Sequence, residues 1–439
     1  MIRVAVIGAG WAGCSAALTL ARLGYPVTVY EAARIPGGRA RRVEQGGRSF
    51  DNGQHLLLGA YQRSLAIIES LHSCGGEAAL QRLPLLLKSA PRLHHRLRVR
   101  APDLPAPLHL LVALMFAEGL TIAERFATLR WAGRVLRSPS LQATSGTVAD
   151  LISAQPPAAR DLLWAPLCVA ALNTPPEQAS AEAFVEVLRR SFDGHRENSN
   201  LVVPRLDLTE LLPAPALREV AERGGEICLG APVNRVTLVE PAGVNVRLPH
   251  SEQTYAAAII ATAPQHVAKL IDWDSSGLTT ALAALRYEPI STLHFEFAYA
   301  FPGIDPAVPM LMLDGAPGQW LFWHRLRNGN LQASVVISAH HREESETKVA
   351  DATLAQLRRS YELPAPVWRR LITEKRATFA CTPEQQRMLQ GLPTRLGRIH
   401  FAGDWCVPEL PATLESAVVS GERAATQLQG DFDVQHTPY

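Results

Sequence analysis

The first 31 residues contain the pattern that most restricts what this chain can fold into. An apolar stretch, residues 3–7, leads into Gly8, Gly10 and Gly13 in G-x-G-x-x-G spacing, then into a helix-forming segment and a second apolar strand, residues 26–31. Such glycines allow a tight turn, close approach of the backbone to a pyrophosphate and close packing of helix on strand, and the helix N-terminus favours negative charge. The pattern therefore predicts a β–α–β unit that binds a dinucleotide.

Two features extend this prediction beyond the first loop. Glu31, 23 residues after Gly8, is placed to accept hydrogen bonds from a ribose diol. The next segment, EAARIPGGRARR, contains Gly38 and Arg39, and its backbone amides and guanidinium group would reach the same phosphates. Plain NAD-binding units usually lack this extension, so it favours FAD. The alternative is that the segment forms a solvated loop.

Composition narrows the class of protein. A chain of 439 residues is long enough for two or three domains, and its net charge of +2 argues against nucleic acid as the main partner. The six cysteines are scattered without a C-x-x-C pair, which favours reduced thiols in a cytoplasmic protein. The N-terminus enters a strand directly, which predicts no signal peptide, and no apolar run approaches the roughly 20 residues of a membrane-spanning helix. The two His-His pairs lack other ligands at metal spacing, so no metal site is predicted.

Several motifs taken together resemble one group of flavoproteins. GAGWAG at 8–13, the acid at position 31, GGRARR at 37–42, FDNGQHLLLG at 50–59 and the late IHFAGDW at 399–405 are similar to the amine-oxidase and carotenoid-desaturase group. The resemblance implies an α/β fold. Its parts would be a Rossmann-like FAD-binding domain with a parallel sheet and an α+β substrate domain.

A narrower resemblance rests on four further stretches. DNGQHLLLGAY at 51–61, APLCVAALNTPPEQASAEAF at 165–184, LVVPRLDLTELLP at 201–213 and LPATLESAVVSG at 410–421 are similar to the hydroxysqualene dehydroxylase family. These are FAD-dependent, squalene-associated enzymes of bacterial hopanoid pathways. The similarity covers roughly residues 1–428. A fold alone does not fix the direction of a reaction, and members of this family were long labelled desaturases by analogy.

The resemblance implies which residues hold FAD. Asp404 would meet the ribityl or pyrophosphate region, and Val233 would hold the adenine through its backbone. The helix beginning near Thr413 would direct its N-terminal amides at the isoalloxazine ring. The full set of implied FAD contacts is Gly8, Ala9, Gly10, Trp11, Ala12, Gly13, Glu31, Ala32, Gly38, Arg39, Gly53, Gln54, His55, Val233, Gly403, Asp404, Thr413, Leu414 and Ala417.

These contacts imply a discontinuous FAD-binding domain. We expect a strand, a turn and a strand over 224–238, and a further strand over 256–264 at the edge of the domain. The expected FAD-binding segments are 1–80, 201–267 and 393–430, the substrate-domain segments are 81–200 and 268–392, and a C-terminal tail covers 431–439.

The middle of the chain combines basic and apolar stretches. Residues 82–100 hold six basic residues and no acid, and an apolar run follows over 108–117. Two interpretations remain open. This region is either a contact with an anionic membrane surface, on the inner face of the cytoplasmic membrane, or a core helix beside a solvated basic loop. The segment 121–138 opens with a Thr-x-x-Glu capping box and predicts a helix that packs Ile122, Phe126, Leu129 and Leu136 into the second domain.

The resemblance implies an allylic alcohol, hydroxysqualene, as substrate and squalene as product. The hydroxyl oxygen must be protonated as its C–O bond breaks, and hydride from reduced FAD completes the reaction. His55 is the first candidate for the general acid, the alternative being that it only donates to a flavin or backbone oxygen. Asp207 is the second candidate, the alternative being a helix N-cap or a salt bridge to Arg205. Asp51 is expected to order its own Asp-Asn-Gly turn.

Other functions fit the same fold. One is an oxidising desaturase or amine oxidase, although the aromatic cage of an amine oxidase is represented here only by Trp405. Another is a non-catalytic carrier of isoprenoids, which the retained Gly-Gly-Arg and Gly403-Asp404 motifs disfavour. The sequence shows no second dinucleotide motif, so a separate electron donor to FAD is expected, and it leaves the oligomeric state open.

Overall fold

The computed structural model describes residues 2–73, 78–137, 146–192, 194–239, 243–271, 277–298, 304–305, 308–341 and 344–435. The strands are β1 (Val4–Ile7), β2 (Val27–Glu31), β3 (Arg42–Gln45), β4 (Arg48–Asp51), β5 (Leu57–Leu58), β6 (Leu80–Leu83), β7 (Leu86–Lys88), β8 (Arg98–Arg100), β9 (Leu201–Pro204), β10 (Glu226–Leu229), β11 (Arg235–Val239), β12 (Gly243–Arg247), β13 (Glu252–Tyr255), β14 (Ala257–Ile260), β15 (Tyr287–Phe297), β16 (Leu311–Met312), β17 (Trp320–Arg325), β18 (Leu331–Ser338), β19 (Trp368–Phe379), β20 (Arg395–Leu396) and β21 (Ile399–Phe401). The helices are α1 (Trp11–Arg22), α2 (Gln62–Leu71), α3 (Leu108–Met115), α4 (Ile122–Arg137), α5 (Val148–Ile152), α6 (Pro157–Ala159), α7 (Ala165–Leu172), α8 (Ala181–Phe192), α9 (Leu208–Leu211), α10 (Pro213–Glu222), α11 (Pro264–Leu270), α12 (Leu278–Ala283), α13 (Glu346–Ser360), α14 (Pro383–Gln390) and α15 (Leu414–Gln435).

A six-stranded sheet in the order β10-β2-β1-β14-β21-β20 forms the centre of the first domain. Its first five strands are parallel, and β20 is antiparallel to β21. Strands β1 and β14 are apolar and buried along their length, as expected where helices or other strands cover both faces of a parallel sheet. The prediction that residues 256–264 lie at the edge of the domain is therefore wrong, because β14 is paired on both sides, with β1 and with β21.

Each face of this sheet has its own covering layer. Helices α1, α2, α10 and α15 pack apolar side chains against one face. The antiparallel meander β11-β12-β13 and helices α11 and α12 cover the other face. The strand, turn and strand expected over 224–238 are present as β10 and β11. The two strands belong to different sheets, so the turn between them leads from one layer to the next.

The second domain is built on a five-stranded antiparallel sheet in the order β16-β17-β18-β15-β19. Because side chains alternate along a strand, the sheet has two distinct faces. One face packs Leu293, Phe295 and Val335 against α13. The other presents Trp320 and Phe322 to a cluster that includes helices α3 to α8. This two-domain α/β architecture confirms the fold predicted from the sequence.

Helix α4 corrects the prediction for residues 121–138. Its expected apolar face is wrong at the N-terminal end, since Ile122 is 69% and Phe126 is 56% exposed. The helix instead buries a different stripe, in which Trp131 and Val135 face the core and the Trp131 ring lies 4.5 Å from the ring of Trp164. Two large aromatic rings bury more area than the Ile-Phe stripe could, so they set the rotation of the helix.

Candidate flavin site and its surroundings

The loop after β1 has the geometry of an anion-binding turn. Gly10 precedes α1, and among the described residues no side chain caps the helix there and no acid stands in its first turn. A Cβ on Gly13 would lie 1.9 Å from the carbonyl oxygen of Gly8, so only glycine permits this approach of helix to loop. The uncapped N-terminal amides of α1 are therefore available to a phosphate group.

The Gly-Gly-Arg segment folds back onto this loop. Gly37 N–H donates to the carbonyl oxygen of Ala9 over 2.8 Å. Gly38 has a φ of +62°, and a Cβ there would lie 3.2 Å from the Cα of Gly10. Glycine is required at position 38 because this φ is strained for other residues. The two segments that the sequence assigned to the phosphates are therefore adjacent.

Glu31 lies at the carboxyl end of β2 with its side chain held in place. Its Oε2 accepts the N–H of Ala9 over 2.7 Å, and its Oε1 accepts the N–H of Ala33 over 2.8 Å. Its backbone carbonyl accepts the N–H of Ala231 over 2.8 Å, which brings the segment containing Val233 to the same edge of the sheet. The predicted ribose ligand and the predicted adenine contact thus lie at neighbouring strand ends.

The return segment closes the site from the other end of the chain. Arg39 Nη2 donates to Asp404 Oδ1 over 2.8 Å, and Arg39 Nη1 donates to the carbonyl oxygen of Ala377 over 2.9 Å. Asp404 begins the short 3-10 turn Asp404–Cys406 after β21, and the N–H of the preceding Gly403 donates to Ser420 Oγ on α15 over 2.8 Å. These bonds join the first and last segments of the FAD-binding domain.

Helix α15 is anchored at its N-terminus. Thr413 Oγ1 accepts the N–H of Ser416 over 3.1 Å, while Ser416 Oγ accepts the N–H of Thr413 over 2.9 Å. The next residue, Leu414, packs with Ala417 on the apolar cluster of α1. Trp405 lies in the core, 1% exposed and 5.9 Å from the ring of Phe401, so it forms no wall of a cage in this structure.

The segment 53–55 connects the two domains. His55 is half-buried, and its Nδ1 lies 2.9 Å from the carbonyl oxygen of Gly53. Burial lowers the pKa of His55, which makes the neutral ring the dominant form near pH 7. Gln54 Oε1 accepts a hydrogen bond from His324 Nε2 of the second sheet over 2.9 Å.

Asp207 and Asp51 meet at the start of α9. Asp207 Oδ1 accepts the N–H groups of Thr209 and Glu210, so it is the N-cap, and it pairs with Arg42 at 3.4 Å rather than with Arg205. Asp51 Oδ1 accepts the N–H of Leu208 over 2.9 Å. The prediction that Asp51 orders its own turn is therefore wrong. Desolvation raises the pKa of Asp51 to about 7.

The sequence did not single out a group of polar residues on the second sheet. His294 and His324 lie on β15 and β17, and Gln332 and Ser334 lie on β18 between them. Within STLHFEFAY the alternation of Leu293 and Phe295 with polar residues already indicates a strand with one polar face. The pairing of three strands that are distant in sequence could not be inferred in the same way.

The comparisons with known proteins agree with this geometry. Residues 11–429 match the family model described as flavin containing amine oxidoreductase. The chain is 30% identical to a hydroxysqualene dehydroxylase of Rhodopseudomonas palustris, over 96% of this chain and 97% of the relative. It is 23% identical to a 15-cis-phytoene desaturase of Synechococcus elongatus, over 97% and 96%. The solved structure of a cyclohexylamine oxidase from Brevibacterium oxydans superposes with a TM-score of 0.72 at 17% identity, over 98% of this chain and 99% of that one.

The chain therefore belongs to the family of flavin-containing amine oxidoreductases. Within that family it resembles the hydroxysqualene dehydroxylases along nearly its whole length, and it is an FAD-dependent oxidoreductase. The residues present fit FAD. The uncapped amides at the start of α1 suit its pyrophosphate, and the carboxylate of Glu31, held at the end of β2, suits a ribose. The Arg39–Asp404 pair lies next to the Gly37–Gly38 turn, which folds onto the glycine loop before α1.

Proposed function

We propose that this protein reductively removes the hydroxyl group of hydroxysqualene to give squalene. The observation that carries the proposal is the similarity to three hydroxysqualene dehydroxylases, at 27 to 30% identity over 96% of the chain. In the overall reaction, the alcohol takes up a hydride and a proton and gives the hydrocarbon and water. Reduced FAD, when bound, supplies the hydride, and we propose that a separate electron donor reduces it again.

The chain must supply a proton to the departing oxygen and keep water away from the allylic carbon. We propose His55 as the proton donor, since it is half-buried beside Gln54, which contacts the second sheet through His324. Its lowered pKa means that only a minor fraction is protonated near pH 7, so this step would be faster in mild acid. Asp207 is the second proposed donor. Its Oδ1 already accepts the two backbone N–H groups that it caps at the start of α9, which leaves Oδ2 as the oxygen that could carry the proton.

A second candidate function is oxidative desaturation of an isoprenoid. It is favoured by the 23% identity to a 15-cis-phytoene desaturase over 97% of the chain. The two functions use the same cofactor in opposite redox directions. They are therefore separated by asking which form of the flavin reacts with which substrate.

We further propose that the protein contacts a membrane surface from one side. In the described part of the chain no helix has the length and apolar character needed to traverse a bilayer. We call five exposed apolar side chains of α3, of α4 and of the segment between them the α3–α4 ridge. These are Leu108 (49% exposed), Leu111 (45%), Phe116 (73%), Ile122 (69%) and Phe126 (56%).

The charge distribution on α4 supports this proposal. Ile122, Phe126, Arg130 and Arg134 follow one another at intervals of four residues, and all four are exposed. An α-helix rises about 1.5 Å per residue, so the two arginines lie about 6 to 18 Å along the helix from the apolar pair. That spacing would place apolar side chains in the acyl region while the guanidinium groups meet anionic headgroups.

The experiment that tests the proposed function is anaerobic. Chemically reduced, FAD-loaded protein is mixed with hydroxysqualene, while the absorbance of oxidised flavin is followed and products are identified by mass. Reoxidation with one squalene formed per flavin is the expected result. If the reduced flavin is inert and oxidised enzyme is instead bleached by squalene or another polyene, the protein is a desaturase.

A further inference from the structure

One face of the second sheet carries polar side chains in an apolar surrounding. His294 on β15 is paired with Ser334 on β18, which is paired in turn with Phe322 on β17. Phe322 and Val336 on the same face belong to an apolar cluster, and both His294 and Ser334 are buried. Polar groups placed in such surroundings need partners, because their water has been removed.

The hydrogen bonds of His294 leave one ring nitrogen without a partner among the residues that the structure describes. Gln332 Nε2 donates to His294 Nδ1 over 2.9 Å, and Ser334 Oγ lies 2.9 Å from the same Nδ1. An amide NH2 group can only donate, so with Gln332 Nε2 facing the ring Nδ1 is the acceptor, and this assigns the ring proton to Nε2. Nε2 is buried and has no hydrogen-bond partner among the described residues. It is therefore an N–H donor with no acceptor.

A second buried donor lies on the same face of the sheet. Trp320, two residues before Phe322 on β17, is 4% exposed, and its Nε1 also has no hydrogen-bond partner within the described part of the chain. Unpaired buried donors are rare in folded proteins. Of the two, His294 is the one whose ring packs against Phe50, in the segment that leads to Gln54.

The protonation state of His294 and His324 restricts the charge of the ligand that can bind here. Burial, with a smaller contribution from His324, lowers the pKa of His294 to about 4, and burial lowers that of His324 to about 4. Both rings are thus neutral near pH 7. A neutral N–H donor suits a neutral oxygen, such as an alcohol, and offers no opposite charge to a phosphate or a carboxylate.

The polar side chains around His294 also adjoin residues 50–54, which belong to the first predicted FAD-binding segment. His324 is hydrogen-bonded to Gln54, and the ring of Phe50 lies 5.4 Å from the ring of His294. We infer that His294, held by Gln332 and Ser334, binds the hydroxyl oxygen of the substrate through its Nε2–H. This inference rests on the proposed function, and it names His294 as a residue that determines selectivity for the alcohol over the hydrocarbon.

The test compares binding of an alcohol with binding of its hydrocarbon. Hydroxysqualene and squalene, each delivered from cyclodextrin, are titrated into oxidised FAD-loaded enzyme, with tryptophan fluorescence as the signal and flavin absorbance to verify that no redox reaction occurs. We expect the wild type to prefer hydroxysqualene by about tenfold, the value of one buried hydrogen bond. His294→Phe should lose this preference and bind squalene unchanged.

His341→Gln is the matched control. His341 is an exposed histidine at the end of the same sheet, so this variant should keep the preference for the alcohol. Gln332→Leu provides a second variant should His294→Phe fail to fold, because it removes the donor that keeps the proton on Nε2, and it should weaken the preference. A preference that survives the substitution overturns the inference, as does an equal loss of affinity for both ligands.

The same preparations, reduced anaerobically, separate this inference from the proposed function. A wild type that prefers the alcohol but does not form squalene would refute the dehydroxylase proposal and retain the hydroxyl site. A wild type that forms squalene while His294→Phe still selects the alcohol would refute only the hydroxyl site.

Discussion

Arg39 and Asp404 are 365 residues apart in sequence, and their side chains are joined by an N–H···O bond of 2.8 Å. The side chain of Asp404 is only 6% exposed, and Arg39 is the cation paired with it. The bond connects the segment after β2 to the segment after β21. It therefore joins two segments that are distant in sequence, one beside Gly38 and the other beside Gly403.

Arg39→Ala should leave Asp404 buried without its cation. We expect purification with little FAD and a loss of about 2 kcal/mol in the free energy of unfolding, less than for a fully buried pair because Arg39 is partly exposed. Flavin content and thermal unfolding measure both effects. Arg92→Ala is the control, since the Arg92–Glu362 pair is exposed and should contribute almost nothing. Equal behaviour of the two variants would contradict a special role for Arg39.

The local parts of this site could be predicted from the sequence, and the long-range parts only by resemblance. The β1–α1–β2 unit follows from a glycine spacing and an apolar period that act over about 30 residues. The role of Asp404 followed only from similarity to other flavoproteins. Its contact with Arg39 depends on sheet order, which places β21 beside β14.

The predictions for β14 and for the apolar face of α4 are wrong for physical reasons. Nothing in the residues of β14 shows what pairs on its second side, so the sequence alone predicts an edge strand there. The apolar stripe of α4 was chosen by spacing, whereas the folded helix buries the stripe that gives Trp131 a partner in Trp164. The polar patch around His294 combines three strands, and a single strand shows only one member of it.

Helix α15 contains two glycines that should respond in opposite ways to alanine. A Cβ on Gly421 would lie 2.2 Å from the carbonyl oxygen of Ala12 on α1, whereas no atom of the described residues lies within 4 Å of a Cβ on Gly430. Gly421→Ala should force the two helices apart, with a loss of about 1 to 3 kcal/mol in the free energy of unfolding and weaker FAD binding. Gly430→Ala should stabilise by about 0.5 to 1 kcal/mol. Denaturant unfolding checks the pair, and a loss of similar size in both would contradict the close contact.

Asp51 should make stability depend on pH in a defined direction. Its pKa is about 7 in the folded protein against an ordinary value of 3.8, so the folded state binds the proton more tightly. The stabilisation from this proton is complete below about pH 4 and is lost as the pH rises through about 7. Asp51→Asn cannot ionise and should still accept the N–H of Leu208. It should therefore exceed the wild type in melting temperature at pH 8 and match it near pH 4. No difference at pH 8 would contradict the raised pKa.

The pH dependence of turnover tests His55. Burial lowers its pKa, so above that value the protonated fraction falls about tenfold for each pH unit. If His55 donates the proton, the single-turnover rate of reduced enzyme with hydroxysqualene should rise as the pH is lowered from 8 towards 6. His55→Asn, compared with the wild type at equal FAD loading, should be slow and have a flat profile. A wild-type rate that does not change over this range would exclude His55 as the donor.

Membrane contact through the α3–α4 ridge can be tested with two side chains of equal exposure. Phe126 on the ridge and Val367 elsewhere on the surface are both 56% exposed. Phe126→Glu, alone or with Phe116→Glu, should reduce co-sedimentation with vesicles containing anionic lipid at least tenfold, because a carboxylate cannot enter the acyl region without a large desolvation cost. Val367→Glu should sediment like the wild type. High salt should weaken binding of the wild type only in part, since the arginines Arg130 and Arg134 are screened while the apolar contact is not. Equal sedimentation of the Phe126 and Val367 variants would show that the ridge does not enter the bilayer.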